Sequence, residues 1–172
     1  MKNFLNISDL SSYDLKEIID EAKTRKSKRT GLNKSTVDLD EPFAGKSMIM
    51  IFEKPSTRTR ISFDIGVKQL GGSTIILNTD NIHYGIGNES IKDTAKILSE
   101  YADVVMIRTS SHNKLEEFAK YSEIPVINGL SEQGHPCQIM SDVLTFEEMK
   151  GSIKDKTISW LGDGNNNMAN SF

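Results

Sequence analysis

Residues 48–60 read Met-Ile-Met-Ile-Phe-Glu-Lys-Pro-Ser-Thr-Arg-Thr-Arg, an apolar run followed by a polar, basic one. The apolar run, residues 48–52, is short and partly β-branched, which predicts a buried strand. Apolar residues then recur at helical spacing from Ile61, and the pair Gly71-Gly72 ends that pattern. The sequence therefore predicts that a strand passes into a helix at residues 56–60.

The residues at this junction have the chemistry of an anion site. Ser56, Thr57 and Thr59 supply hydroxyl groups, and Arg58 places a fixed positive charge among them. The first turn of a helix also presents unpaired backbone N–H groups and the positive end of the helix dipole. An ordinary helix cap with solvated arginines is the alternative, but capping requires neither Arg58 nor Arg60. We therefore expect an anion site here, with phosphate as the favoured ligand.

Length and composition define the broad class of protein. The 172 residues are 37% hydrophobic, enough to bury the core of one domain, or of one domain and part of another. The net charge of −3 gives no reason to expect nucleic acid or an anionic membrane as a partner. The basic stretch at residues 23–34 is more simply explained as a solvated helix end than as a nucleic-acid patch.

Cysteine usage and the N-terminal sequence bear on the compartment. Cys137 is the single cysteine, so no internal disulfide can form and a reducing compartment is the simpler expectation. The N-terminus lacks the basic-then-apolar pattern of a secretion signal, and no apolar run reaches membrane-spanning length. These features predict a soluble, cytoplasmic protein.

Short apolar runs alternate with helical patterns along the chain. The predicted strands are residues 47–52, 73–77, 103–108, 124–127 and 157–161. The predicted helices begin at the capping residues Ser8, Ser90 and Ser111, after residue 56, and at His135, the last running to Met149. This alternation predicts an α/β fold, a parallel sheet with helices on both faces.

Polar residues follow three of the predicted strands at their carboxyl ends, where parallel sheets bind ligands. Residues 56–60 follow the first strand, Arg108 ends the third, and residues 135–138 follow the fourth. Each has an ordinary alternative, an exposed strand-end arginine for Arg108 and polar surface for His135. Together they predict a small ligand that carries a phosphate and a carbonyl group.

Two other kinds of site are disfavoured. His135 and Cys137 lack the helical spacing of metal ligands, and no second ligand cluster exists, so no metal is expected. Gly162-Asp163-Gly164 follows a predicted strand but lacks the third glycine of a dinucleotide-binding loop.

Four features, in this order, resemble the aspartate/ornithine carbamoyltransferase family, most closely its ornithine branch. They are residues 52–60, Arg108, His-Pro-Cys-Gln at 135–138, and Gly-Asp-Gly-Asn-Asn-Asn at 162–167. The resemblance covers essentially the whole chain. It implies a transferase that moves the carbamoyl group of carbamoyl phosphate to the δ-amine of L-ornithine, giving L-citrulline and phosphate in arginine biosynthesis. The implied reaction belongs to amino-acid metabolism, and its chemistry requires no metal or organic cofactor.

The resemblance also implies roles for individual residues. Arg58, Arg108 and His135 would be catalytic. The implied contacts to carbamoyl phosphate come from Ser56, Thr57, Arg58, Thr59, His83, Arg108, His135, Pro136, Cys137 and Gln138. His83 matches a position, often glutamine, that reaches the phosphate of a neighbouring subunit, so a trimer-based homo-oligomer is expected. Asn167 matches a position that holds the backbone groups of the amino-acid substrate.

The same likeness divides the chain at residue 150. Residues 1–150 would form the carbamoyl phosphate-binding domain, and residues 151–172 would begin an ornithine-binding domain that the chain does not complete. The family's Asp-x-x-x-Ser-Met-Gly and His-Cys-Leu-Pro segments are absent from the 172 residues. The chain alone is therefore expected to bind carbamoyl phosphate without turning it over. Two alternatives stay open, an aspartate carbamoyltransferase and a non-catalytic carbamoyl phosphate-binding fragment.

Overall fold

A parallel sheet forms the centre of the computed structural model, which describes residues 3–79 and 89–172. Its strands are β1 (Ser47–Phe52), β2 (Ser73–Asn78), β3 (Val104–Arg108) and β4 (Val126–Leu130). The described strands lie in the order β2-β1-β3-β4, and each neighbouring pair is parallel. The predicted α/β fold with a parallel sheet is confirmed.

Helices connect the strands and cover the sheet. They are α1 (Ser12–Lys28), α2 (Arg58–Gln69), α3 (Ile91–Ser99), α4 (His112–Tyr121), α5 (Pro136–Lys150) and α6 (Asn167–Ser171), with a short 3₁₀ turn at Ile7–Asp9 before α1. In the part of the chain that the structure describes, no helix is both long enough and apolar enough to cross a membrane.

The two faces of the sheet are buried in separate apolar clusters. Ile49 and Ile51 of β1 pack with residues of α3 and α4 on one face. Met48 and Met50 point to the other face and pack with Val67 of α2. A strand buried on both faces needs apolar residues at successive positions, which explains why β1 has no alternation of polar and apolar residues.

The strand order creates a reversal between β1 and β3. The chain runs from β1 through α2 to β2 on one side, and then passes over to β3 on the other side of β1. At such a switch point the connections leave the two carboxyl ends in opposite directions and open a crevice between them. This crevice lies where residues 53–60 follow β1 and where Arg108 ends β3.

The fourth strand packs closely against the third because Gly129 has no side chain. A Cβ atom at this position would lie 2.2 Å from Sδ of Met106 and 3.3 Å from the carbonyl oxygen of Ile107. The neighbouring Asn128 is fully buried, and its amide nitrogen donates to the carbonyl oxygens of Leu5 and Gly134. These interactions make residues 126–130 a strand, which begins two residues and ends three residues later than the predicted 124–127.

Two other sequence predictions are wrong. No strand forms at residues 157–161, where Ile158 is 51% and Leu161 93% exposed, and neither edge of the described sheet pairs with this segment. A strand needs a partner for its backbone groups, and apolar composition alone does not supply one. The first long helix begins at Ser12 rather than near Ser8, because Ser11 caps it by accepting a hydrogen bond from the Asp14 backbone N–H.

Candidate active site

Three helix and strand ends meet around one cavity of about 900 Å³, namely the start of α2, the end of β3 and the start of α5. The predicted site residues that line it are Ser56, Thr57, Arg58, Thr59, Arg108, His135, Cys137, Gln138 and Asn167. Pro136 is buried as the first residue of α5 and is not part of this lining. The prediction for His83 falls on residues 80–88, outside the described part of the chain.

The start of α2 presents its backbone to the cavity. Arg58 is the first helical residue, and Thr57 occupies the cap position without making a capping hydrogen bond from its side chain. The N–H groups of the first turn are therefore available to a ligand, together with the hydroxyl groups of Ser56 and Thr57. Arg58 is exposed, so its side chain can turn toward an anion without leaving a buried partner.

Arg108 brings a partly buried guanidinium to the edge of the cavity. Its Nη1 lies 3.4 Å from the hydroxyl oxygen of Thr59, and its Nε is buried without a hydrogen-bond partner among the described residues. Burial lowers the pKa of Arg108, and the positive charge of Arg58 lowers it further. Two guanidinium groups that disfavour each other are both stabilised by one anion between them.

His135 lies at the start of α5 and faces the same space. Its backbone N–H donates to the Ser171 hydroxyl at 2.7 Å, and its Nδ1 is buried without a partner in the part of the chain that is described. Burial lowers the pKa of His135, as does the charge of Arg108, while Asp142 acts in the opposite direction. The imidazole is therefore neutral at pH 7 and has one N–H to donate.

Gln138 lies one helical turn beyond His135 and is held by Asp142. Its amide nitrogen donates to Oδ1 of Asp142 at 2.9 Å. This bond directs the amide nitrogen to Asp142, and the carbonyl oxygen of Gln138 can accept a hydrogen bond from an N–H group of a ligand.

At the opposite rim of the cavity, Asn167 begins α6 and donates from its amide nitrogen to the carbonyl oxygen of Ser131 at 3.0 Å. Cys137 also lines the cavity and is half-buried, with its thiol 3.5 Å from the carbonyl oxygen of Asn128. Burial raises the pKa of the Cys137 thiol to about 12, which removes it as a nucleophile at neutral pH. Within residues 3–79 and 89–172, no group of three or more His, Cys, Asp or Glu side chains is placed to hold a metal ion.

Residues 2–148 match the family described as aspartate/ornithine carbamoyltransferase, carbamoyl-P binding domain. The chain belongs to this family. It is 52% identical over 165 residues to ornithine carbamoyltransferase of Rhizobium meliloti (strain 1021), covering 96% of this chain and 52% of the relative. It is 50% identical over 167 residues to ornithine carbamoyltransferase of Brucella ovis, covering 96% of this chain and 51% of that relative.

Solved structures of this carbamoyltransferase family have the same fold. Ornithine carbamoyltransferase from Burkholderia thailandensis E264 superposes with a TM-score of 0.90 at 36% identity, covering 99% of this chain and 57% of that one. The enzyme from Pyrococcus furiosus gives 0.90 at 39% identity, covering 99% and 52%. The chain spans about half the length of the curated relatives that it matches.

Several residues that line this candidate site were not predicted. Ser62, Phe63, Leu130, Ser141, Asp142 and Met168 also line the cavity. The spacing of Gln138 and Asp142, four residues apart on one helix, was a readable signal for their contact. The carboxylate of Glu53 accepts hydrogen bonds from Thr109 and Ser110, which lie more than fifty positions later in the chain. No local sequence pattern predicts such a pairing.

Proposed function

We propose that this cavity binds carbamoyl phosphate and that the protein acts as an ornithine carbamoyltransferase, forming L-citrulline and phosphate from carbamoyl phosphate and L-ornithine. The observation that carries the proposal is the meeting of Arg108, Thr59 and His135 beside the open N-terminus of α2. Two of these residues have buried nitrogens without partners among the described residues, Nε of Arg108 and Nδ1 of His135. A ligand with a phosphate and a carbonyl oxygen would satisfy both ends of this arrangement.

The phosphate is proposed to bind at the start of α2. Ser56 and Thr57 would donate hydroxyl hydrogens, Arg58 would donate from its guanidinium, and the first-turn N–H groups, that of Thr59 included, would complete the set. The carbamoyl end is proposed to reach residues 135–138, where the Gln138 carbonyl would accept from the carbamoyl amide. Pro136 and Cys137 would contribute through their backbone, since the Cys137 thiol is directed to Asn128.

The proposed reaction is an attack of the neutral δ-amine of ornithine on the carbamoyl carbon. A C–N bond forms, the bond between the carbamoyl carbon and the phosphate oxygen breaks with its electron pair going to that oxygen, and the proton lost by the amine passes to the departing phosphate. Negative charge grows on the carbamoyl oxygen, where Arg108, Thr59 and the neutral His135 would donate hydrogen bonds, each contributing on the order of 3 kcal/mol. Arg58 and the dipole of α2 would stabilise the departing phosphate.

The acceptor and the division of labour along the chain are also proposals. The names of the Rhizobium and Brucella relatives support ornithine, and Asn167 on the cavity rim is proposed to hold its backbone groups. We propose residues 1–150 as the carbamoyl phosphate-binding domain and residues 151–172 as the beginning of an ornithine-binding domain. On this basis the 172 residues alone bind carbamoyl phosphate but form no citrulline, because positioning the amine contributes roughly 7 kcal/mol or more to the barrier lowering.

A trimeric assembly in the cytoplasm, serving arginine biosynthesis, completes the proposal. Its structural support is the edge strand β2, where the apolar side chain of Ile75 is 45% exposed. In a trimer His83 would reach the phosphate bound to a neighbouring subunit. Sedimentation of the protein measures its oligomeric state, and a monomer at micromolar concentration would contradict the trimer.

A chimaera tests the activity itself. The 172-residue chain is joined to the half of the Rhizobium meliloti relative that follows its matched segment, and citrulline formation is assayed with carbamoyl phosphate and L-ornithine. We expect citrulline from the chimaera, none from the 172-residue chain alone, and none when the chimaera carries Arg108→Ala. L-aspartate in place of ornithine tests the aspartate alternative. Carbamoyl-aspartate as the main product, or turnover that survives Arg108→Ala, would contradict the proposal.

A further inference from the structure

We propose that Glu53 is a positioning residue that fixes Arg108 at the candidate site, an inference that rests on the proposed function. Glu53 is the first residue after β1, and its backbone N–H donates to the carbonyl oxygen of Arg108 at 2.9 Å. Its side chain is only 10% exposed, although a glutamate is rarely buried without a reason. Glu53 therefore contacts Arg108 directly through the backbone and lies on the inner side of the switch point between β1 and β3.

The carboxylate of Glu53 binds the residues that follow Arg108. Its Oε2 accepts hydrogen bonds from the Thr109 hydroxyl at 2.5 Å, from the Ser110 backbone N–H at 2.9 Å and from the Ser110 hydroxyl at 3.3 Å. Its Oε1 lies 3.1 Å from Nζ of Lys114, on α4. One side chain thus attaches the first two residues after β3, and the helix that follows them, to the end of β1.

The charge of Glu53 is compatible with an anion site nearby because it is neutralised locally. Burial raises the pKa of Glu53, but the hydrogen bonds from Thr109 and Ser110 and the ammonium of Lys114 outweigh burial, so the net pKa lies below the usual range. The group is an anion at neutral pH whose charge is directed at these donors. A carboxylate left without them would repel a phosphate bound nearby at the start of α2.

Arg108 needs this support because its other neighbour strand is irregular. The pairing of β3 with β4 shifts register between Ile107 and Arg108, whereas the pairing of β3 with β1 is regular through Phe52 and Arg108. The backbone of Arg108 is therefore fixed from the β1 side, where Glu53 lies. A guanidinium must be held within a few tenths of an ångström to bind a developing charge, so small movements of this backbone reach the ligand.

A matched control lies at the other end of the same strand pair. Asp103 precedes β3 as Glu53 follows β1, and its Oδ2 accepts from the Ser47 backbone N–H at 2.8 Å. Its own backbone N–H donates to the Ser47 carbonyl at 3.0 Å. Asp103→Asn perturbs the pairing of β1 and β3 far from the cavity, while Glu53→Gln perturbs it beside Arg108.

Calorimetric titration of carbamoyl phosphate into a double-mutant cycle tests the inference. The variants are Glu53→Gln, Arg108→Ala and the pair together, with Asp103→Asn as control and thermal unfolding to show that each is folded. Glu53→Gln is expected to weaken binding about tenfold when Arg108 is present and less than about twofold when it is alanine, because the effect passes through Arg108. Asp103→Asn is expected to leave the dissociation constant within about twofold of wild type.

Each outcome has a separate meaning. A Glu53→Gln effect that persists with alanine at position 108, or no effect at all, overturns the positioning role and leaves the carbamoyl phosphate site standing. Unchanged binding in Arg108→Ala overturns the proposed function and the positioning role with it. If Glu53→Gln does not fold, Lys114→Met takes its place in the cycle, with the same dependence on Arg108 expected.

Discussion

Nη1 of Arg108 lies 3.4 Å from the hydroxyl oxygen of Thr59, although the two residues are 49 positions apart in the chain. Arg108 ends the central strand β3, and Thr59 lies in the first turn of α2. The contact therefore brings the end of the strand close to the start of the helix. A carbonyl oxygen placed between these groups would meet a cation and a hydroxyl donor at once. This relationship underlies the predictions below.

Arg58 is expected to bind the phosphate, and Arg60 provides a matched control on the same helical turn. Both side chains are exposed, but Arg58 lines the cavity and Arg60 is not part of its lining. Arg58→Ala is expected to weaken carbamoyl phosphate binding about 10- to 100-fold, the loss of one hydrogen-bonded charge. Arg60→Ala is expected to change it less than about twofold. Calorimetric titration of both variants measures the two effects. Equal effects would contradict the binding of phosphate at the start of α2.

His135 is expected to titrate below its ordinary pKa. Burial and the charge of Arg108 both favour the neutral ring, so the ¹H–¹⁵N resonances of His135 should show a midpoint below about 6.5. Added phosphate is expected to raise this midpoint, because an anion stabilises the imidazolium. A midpoint at or above the ordinary value in the free protein would contradict the neutral donor role.

The same shift predicts how stability depends on pH. The folded pKa of His135 is depressed, so below about 6.5 the unfolded chain binds a proton at this residue before the folded chain does. The contribution of His135 to stability is therefore present above the unfolded pKa and is lost as the pH falls through the folded pKa. Thermal unfolding of wild type and His135→Gln at pH 7.5 and pH 5 checks the sign. The advantage of wild type over the variant should be smaller at pH 5, and a larger one would contradict it.

Two glycines offer a paired test of the packing. Gly129→Ala is expected to destabilise the fold by about 1–3 kcal/mol, since its Cβ would meet Met106 and the Ile107 carbonyl. Gly66 lies inside α2, where a Cβ atom would contact no described residue outside the adjoining turns of the helix, so Gly66→Ala is expected to stabilise the fold by about 0.5–1 kcal/mol. Urea unfolding of both variants measures the difference. Equal and small effects would show that β4 does not depend on the close approach at Gly129.

The central strands were predictable because they are buried on both faces. Residues 47–52 and 103–108 were placed within a residue of β1 and β3, since a continuous apolar run is the signature of such strands. The edge strand β2 is only partly buried, and it was predicted at residues 73–77, one residue short of its end, from its short β-branched run. The caps Ser90 and Ser111 were also predicted correctly, and each accepts the expected backbone hydrogen bond. The fourth strand was displaced because Asn128 and Gly129 are typical turn residues, and only their buried contacts make them part of a strand.

The site was predictable to the extent that it depends on topology and helical spacing. Ligands bind beyond the carboxyl ends of parallel strands, and this rule brings Thr59, Arg108 and His135 together from their positions in the sequence alone. The rule does not reveal which groups fix those side chains. The carboxylate of Glu53 is bonded to Thr109 and Ser110, and such long-range pairing is set by the strand order rather than by local sequence.

Carbamoyl phosphate is proposed to bind in one cavity, between the start of α2 and the ends of β3 and β4. A crystal structure of the 172-residue chain with carbamoyl phosphate tests this proposal most directly. We predict the phosphate against Ser56, Thr57, Arg58 and the first-turn N–H groups, with the carbamoyl oxygen within hydrogen-bond distance of Arg108, Thr59 and His135. Density for the ligand at another surface, or a carbamoyl group turned away from Arg108 and His135, would contradict the account.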